Sequence, residues 1–138
     1  MNKHALFPIL LLGLLASGFA ADAGISVNSP YLVTQWKCGQ GLDIQWNKWG
    51  DWSQLNLEPE NQKVRILLVK VVPPRHRPLP KIILDNVPAL GVTGKAVWRI
   101  EGVSNGEYHV IVQTINNLYK GKSEVFTIKD CLQPIILK

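Results

Sequence analysis

The residues able to act as acids, bases or nucleophiles are few and scattered along this chain of 138 residues. Of the three histidines, His4 lies in an apolar N-terminal segment, His76 in a proline-rich stretch and His109 in an alternating stretch. The carboxylates available for an acid/base pair are Asp43, Asp51, Glu58 and Glu60. No nucleophile elbow, glycine-rich phosphate loop or zinc-binding helix motif occurs. The sequence therefore predicts no catalytic residue, no metal site and no cofactor, and a cell-wall hydrolase is the weakest functional hypothesis.

The two cysteines, Cys38 and Cys131, are predicted to form a disulfide. Two cysteines in an exported chain usually pair, because the compartment is oxidising. On the chain-entropy model, closing so long a loop stabilises the fold by roughly 4 to 5 kcal/mol. The alternative is a reactive thiol or a metal site, although no His, Asp or Glu with ligand spacing accompanies either cysteine.

The segment from Trp36 to Trp52 holds four of the five tryptophans. Trp46, like Trp98 further on, occupies an inward-facing position of an alternating strand, so both are expected in the core. Trp36 is expected to cover one end of the fold.

Trp49 and Trp52 stand in a polar stretch with Asn47 and Asp51. Aromatic rings among hydrogen-bonding side chains are suited to stacking on sugars or docking on a partner. These four residues therefore form the predicted ligand-binding site. The alternative is that both rings fold back as a lid over the core.

A second candidate surface is the basic cluster Arg75, His76 and Arg77, held between prolines in residues 73–81. Prolines favour an extended, preorganised segment, which suits an anionic polymer or a groove on a partner. The cluster is the predicted partner-binding site. Its alternative is an ordinary solvated loop between strands.

The N-terminus has the pattern of a secretory signal peptide, predicted over residues 1–20. A basic start precedes an apolar run over residues 5–15, which is too short to span a bilayer. Cleavage is expected after Ala20, with Ala23 as the alternative, and leaves one domain over residues 21–138. The product is expected to be secreted, extracellular or periplasmic, with no stable membrane span. The net charge of the full chain, +5, is too mild to indicate a nucleic-acid binder.

Short alternating or apolar stretches separated by turn residues indicate an all-β fold. Strands are expected at residues 25–27, 42–46, 63–72, 82–84, 94–100, 107–115 and 123–128, with 31–37 as a crossover or short edge segment. Residues 47–61 are expected to be irregular, and residues 85–88 to end a strand. The pattern predicts an immunoglobulin/fibronectin-like antiparallel β-sandwich of about seven strands. Both cysteines would then lie at the same pole.

A set of core and turn residues also resembles a known family. The set is Ile25, Ser29-Pro30, Trp36, Gly39, Ile44-x-Trp46, Val64-x-Ile66-x-Leu68, Trp98, Gly106-x-Tyr108 and Phe126-x-Ile128. In order and spacing it resembles the N-terminal domain of the fungal cell-wall β-1,6-glucan synthesis (Kre/Knh-like) family. That domain is also found in Ser/Thr-rich glycosylphosphatidylinositol-anchored surface proteins. The resemblance covers nearly the whole mature chain and implies a secreted, non-catalytic, immunoglobulin-like module of the cell surface or cell wall.

The functional hypothesis drawn from the sequence is a non-catalytic module that binds a surface glycan or a surface protein. Its expected partners are a cell-wall polysaccharide or a surface protein, and not nucleic acid. The alternative is a structural or protein-interaction module that uses its basic proline-rich loop and its sheet edges.

Overall fold

The computed structural model of the chain describes residues 23–31, 34–55, 57, 61–73, 75–77, 79–89 and 91–131. The predicted signal peptide, residues 1–20, lies outside these residues and stays a prediction. No helix within these ranges is long and apolar enough to cross a membrane.

Nine β-strands and one short 3₁₀ helix form the described part of the chain. The strands are β1 (Ala23–Ser29), β2 (Gln35–Lys37), β3 (Gly41–Gly50), β4 (Lys63–Lys70), β5 (Lys81–Pro88), β6 (Thr93–Arg99), β7 (Gly106–Thr114), β8 (Lys120–Lys122) and β9 (Phe126–Lys129). The 3₁₀ helix, Trp52–Leu55, follows β3. The predicted all-β fold class is confirmed.

The strands form two sheets that face each other as a sandwich. The smaller sheet has the order β1-β3-β6, and the larger has the order β2-β9-β7-β4-β5, with β8 paired to β7. Strand β2 runs parallel to β9, whereas the other pairs are antiparallel. The expectation of about seven antiparallel strands is corrected in two respects. The described part of the chain has nine strands, and one pair of strands, β2 and β9, is parallel. Strand β8 was not predicted, because Lys-Gly-Lys has no apolar alternation to mark it.

The core lies between the sheets and is built by alternating side chains of the inner strands. On β3, Leu42, Ile44 and Trp46 are fully buried, as their alternation predicted. Trp46 pairs with Gly94 of β6, and a Cβ at Gly94 would collide with the indole ring. The larger sheet contributes a matching apolar layer from its three central strands: Val64, Ile66, Leu68, Tyr108, Val110, Val112, Phe126 and Ile128.

Two stretches that the sequence suggested were irregular belong to strands. Strand β3 continues through residues 47–50 because these residues keep their partners on β1, with Gly50 opposite Ala23. Strand β5 continues to Pro88 through a register shift beside Asn86, whose φ is 53°. Asparagine tolerates this left-handed conformation better than most residues, so the strand is displaced without ending.

The predicted disulfide between Cys38 and Cys131 is confirmed, with a sequence separation of 93 residues and a Cα–Cα distance of 4.9 Å. It joins the turn before β3 to the segment after β9. This places it at the pole of the sandwich where β3 begins and β9 ends.

Replacing both cysteines, Cys38→Ser with Cys131→Ser, should lower the free energy of unfolding by about 4 kcal/mol, because the unfolded chain regains the entropy of a long loop. Urea denaturation of the purified proteins measures the difference. A thiol reductant should lower the midpoint of the wild type and leave that of the double variant unchanged. A double variant as stable as the oxidised wild type would contradict this role of the disulfide.

Candidate functional site

The four predicted ligand-binding residues do not share one surface. Asn47 and Trp49 face outward on β3, because the alternate positions of that strand point into the core. Trp49 is 43% exposed and lies against Gly24 of β1, where an added Cβ would come within 2.7 Å of the indole ring. Because Gly24 has no side chain, the Trp49 ring can pack directly against β1.

Trp52 belongs to the core, with only 8% of its surface exposed. Its Nε1 donates to the carbonyl oxygens of Gly24, at 3.3 Å, and Trp49, at 3.2 Å. Its ring packs against Tyr119 at a centroid distance of 4.9 Å. The 3₁₀ helix turns the side chain back over the end of the sandwich, so an exposed platform of Trp49 and Trp52 does not form. Trp52 therefore folds back over the core, which was the alternative to a ligand-binding role.

Asp51 holds this end of the fold through its backbone and its carboxylate. Its Oδ1 accepts a hydrogen bond of 2.9 Å from the backbone N–H of Ser53, which lowers the pKa of Asp51. Its carbonyl oxygen accepts one of 3.3 Å from the Tyr119 hydroxyl. Both contacts fix the start of the 3₁₀ helix.

Lys48 closes the same pole from the smaller sheet. Its ammonium donates to Gln62 Oε1 at 3.1 Å and to the Ala89 carbonyl at 2.7 Å. It also stands 4.9 Å from the centre of the Trp52 ring, within cation–π range. Burial lowers the pKa of Lys48. The side chain thus ties β3 to the residues that precede β4 and follow β5.

The predicted partner-binding residues Arg75, His76 and Arg77 are all exposed on the connection between β4 and β5. The backbone N–H of His76 donates to the Pro73 carbonyl at 2.9 Å, which forms a turn. This connection leaves the pole where β4 ends, and Trp49 lies at the opposite pole, near the end of β3. The structure therefore keeps the two predicted surfaces apart.

A groove of about 650 Å³ lies beside the disulfide. Its polar lining includes Arg99, Glu101 and Ser104, and Asp130 forms an ion pair of 3.7 Å with Lys37. The groove presents charges of both signs, so its electrostatics favour neither an anion nor a cation.

The outer face of the larger sheet carries a feature that the sequence reasoning did not identify as a site. Alternation places Ile111 of β7, Leu67 of β4 and Ile82 of β5 side by side on this face, since Leu67 pairs with both neighbours. We call these three residues the outer apolar row. Ile82 is 51% exposed, and the other two are half-buried. Next to the row, Val69 is buried although it lies outside the core cluster.

Charged residues frame the outer apolar row. Lys122 pairs with Ile111, and Lys120, two residues away on β8, pairs with Gln113. On β4, the Arg65 guanidinium donates to Asp85 at 3.0 Å, which lowers the pKa of Asp85. Because Asp85 neutralises Arg65, the two lysines give this part of the face a positive potential.

His109 faces the same surface, opposite Val69 on β4. Burial, assisted by the positive charge of Lys122, lowers the pKa of His109. The imidazole is therefore mainly neutral at neutral pH and extends the apolar character of the face.

The described residues offer no grouping of three His, Cys, Asp or Glu side chains close enough to hold a metal ion. Both cysteines are in the disulfide. The surfaces that the described residues offer for binding are the outer apolar row, the exposed Trp49 and the groove beside the disulfide.

The comparisons with known proteins give structural likeness alone. No family model and no curated protein matches the chain. Among solved structures, a superoxide reductase (neelaredoxin) from Ignicoccus hospitalis is similar at 9% identity and a TM-score of 0.40, over 77% of this chain and 80% of that one. A substituted variant of that same reductase gives 8% identity and a TM-score of 0.38, over 79% of this chain and 83% of that one.

These comparisons correct the functional hypothesis drawn from the sequence. The similar structures are named superoxide reductases, and the assignment of a module that binds a surface glycan or a surface protein is withdrawn. The burial of Trp52 also removes half of the proposed stacking platform. At this identity and TM-score, the likeness transfers no activity to this chain in its place.

Trp52→Ala should lower the free energy of unfolding by about 3 to 5 kcal/mol, the usual cost of removing a buried tryptophan. Trp49→Ala should cost about 1 kcal/mol or less, because its ring is largely at the surface. Urea denaturation of the two variants measures both values. Equal effects of the two substitutions would contradict their different placement.

The stability of the protein should fall as the pH drops below about 6.5, partly through His109. Its pKa is lower in the folded state, so the unfolded state binds more protons in this range and acid favours unfolding. His109→Gln should therefore reduce the loss of unfolding free energy between pH 8 and pH 5. Denaturation at both pH values measures this, with His76→Gln as the matched histidine control. A His109 variant with the wild-type pH dependence would refute this effect.

Proposed function

We propose that this chain holds an extended acidic polypeptide segment against the outer apolar row. The observation that carries the proposal is the row itself, Ile111, Leu67 and Ile82, which crosses three strands on the solvent side of the larger sheet. This surface uses neither the tryptophans nor the basic loop.

The row departs from the usual pattern of a two-layer sandwich. An antiparallel sheet with one face on the core normally presents polar side chains on the other. Here the solvent face has adjacent branched aliphatic side chains on three neighbouring strands, and Val69 beside them. Contiguous exposed apolar surface of this kind marks an interaction site.

Charge complementarity indicates the kind of partner. Lys120 and Lys122 border the row on β8, and Arg65 is already paired with Asp85. A partner segment with aliphatic side chains over the row and carboxylates towards β8 would match both features. Positive potential also speeds the approach of an acidic partner and makes the association sensitive to salt.

A polypeptide fits the row better than a membrane surface does. Leu67 and Ile111 are only half-exposed, and the row has no protruding aromatic side chain. A narrow side chain can reach between recessed aliphatic groups, whereas membrane binding depends on apolar groups that enter the bilayer.

Four expectations from the sequence belong to this proposal: export, the cleavage site, the family relationship and the absence of catalysis. Export is supported by the disulfide, which is typical of oxidising compartments. Ala23 pairs with Gly50 at the start of β1, so cleavage after Ala20 would keep that pair and cleavage after Ala23 would remove it. We also propose that the chain is related to the Kre/Knh-like family and has no catalytic activity.

The test is the affinity of the folded protein for a short synthetic peptide in which Leu and Glu alternate, measured by fluorescence anisotropy. Lys120→Glu with Lys122→Glu should weaken binding about tenfold or more, through lost attraction and new repulsion. Ile82→Ser should also weaken it, because it removes an exposed apolar contact without touching the core. Added salt should weaken the wild-type complex.

The matched control is the double charge reversal Lys95→Glu with Arg99→Glu, on exposed positions of β6 in the smaller sheet. It should leave the affinity close to that of the wild type. A peptide of alternating Leu and Lys should not bind. An equal loss in the control variant, equal binding of the basic peptide, or binding only to phosphatidylserine vesicles would each overturn the proposal.

A further inference from the structure

A second cleft lies at the pole opposite the disulfide, where β4 begins and β5 and β7 end. Its volume is about 330 Å³, at the small end of the range for ligand sites. Its described lining is Leu55, Leu57, Asn61, Lys63, Asn86, Thr114, Ile115 and Asn116. None of these residues belongs to the surface proposed above to bind a polypeptide.

Three residues of the cleft lining are apolar. Leu55, at the end of the 3₁₀ helix, is 8% exposed and forms part of the core. Leu57 is 50% exposed and Ile115 is 40% exposed, which is high for aliphatic side chains that sit next to a concave surface. Covering them with a ligand would remove apolar surface from water.

The lining of the cleft also includes polar groups. Asn116 Oδ1 accepts hydrogen bonds from Thr114 Oγ1 at 2.8 Å and from the backbone N–H of Leu118 at 3.0 Å. These contacts orient the carboxamide and leave its Nδ2 hydrogens as donors for another molecule. Within the described residues, the side chains of Asn61, Asn86 and Lys63 donate no hydrogen bond.

The charge of the described lining residues indicates a ligand class. Among the described lining residues, Lys63 has the only ionisable side chain, and it is cationic. The carboxamides of Asn61, Asn86 and Asn116 add N–H donors beside it. A carboxylate could pair with the ammonium and accept from a carboxamide, whereas an amine would meet a like charge.

We infer that this cleft binds a small monocarboxylate with a short hydrocarbon chain. The carboxylate lies at Lys63 and Asn116, and the hydrocarbon chain lies against Leu57 and Ile115. A volume of about 330 Å³ suits a ligand of this size.

The test uses hexanoate as the probe, with hexylamine and hexanol as ligands of similar shape and different charge. In an NMR titration, hexanoate should shift the amide signals of Thr114, Ile115 and Asn116, and hexylamine should not. Lys63→Gln should weaken hexanoate binding about tenfold. Lys95→Gln, an exposed lysine on the other sheet, is the matched control and should bind as the wild type does.

Leu57→Asn should weaken hexanoate binding as well, and its high exposure keeps the substitution out of the core. The thermal transition of each variant shows that the fold is intact. The inference is overturned if hexylamine binds as well as hexanoate, if hexanoate shifts signals elsewhere, or if millimolar hexanoate shifts none. The acidic peptide should still bind Lys63→Gln, so failure here is distinguishable from failure of the proposed function.

Discussion

Strand β4 lies between β7 and β5, and its register decides which side chains of the larger sheet face the core and which face solvent. Its even-numbered positions, Val64, Ile66 and Leu68, fill the core. Its outward positions include Leu67 and Val69, which are as apolar as the inward ones. A shift by one residue would exchange the two sets, so the buried set fixes the exposed one. The outer apolar row is therefore a consequence of the same pairing that builds the core.

The two poles of the sandwich are closed by different chemistry, and this leaves each with its own cleft. At one pole the disulfide joins the segments before β3 and after β9 and borders a groove of mixed charge. At the other, Lys48 and Trp52 close the gap between the sheets through hydrogen bonds and ring contacts. The cleft beside Lys63 lies at this second pole, where Asn86 displaces the end of β5.

The sequence was sufficient where a pattern is local. The alternation of Leu42, Ile44 and Trp46 identified an inward face, and the presence of two cysteines was enough to predict their bridge. Trp52 shows the limit, because its neighbours are polar while its cover comes from Tyr119, far away in the sequence. The length of β3 likewise depends on its pairing with β1, because the polar residues after Trp46 give no sign that the strand continues.

The outer apolar row shows a second kind of limit. The unbroken apolar run from Ile66 to Val69 is typical of a central strand buried on both faces. Whether another element covers the outer face of the larger sheet depends on the topology of the whole fold. The residue pattern of a single strand carries no information about that topology. In the described part of the chain the row stays open to solvent at Ile82.

The proposed binding of an acidic segment is tested most directly by locating it on the protein. A Leu/Glu peptide with a nitroxide at one end can be added to isotopically labelled protein, and the broadening of each amide signal measured by NMR. We predict strong broadening along β4, β7 and β8 around Leu67, Ile111 and Lys122, and little on β1, β3 and β6. Broadening centred on the smaller sheet, or spread evenly over the surface, would contradict the account.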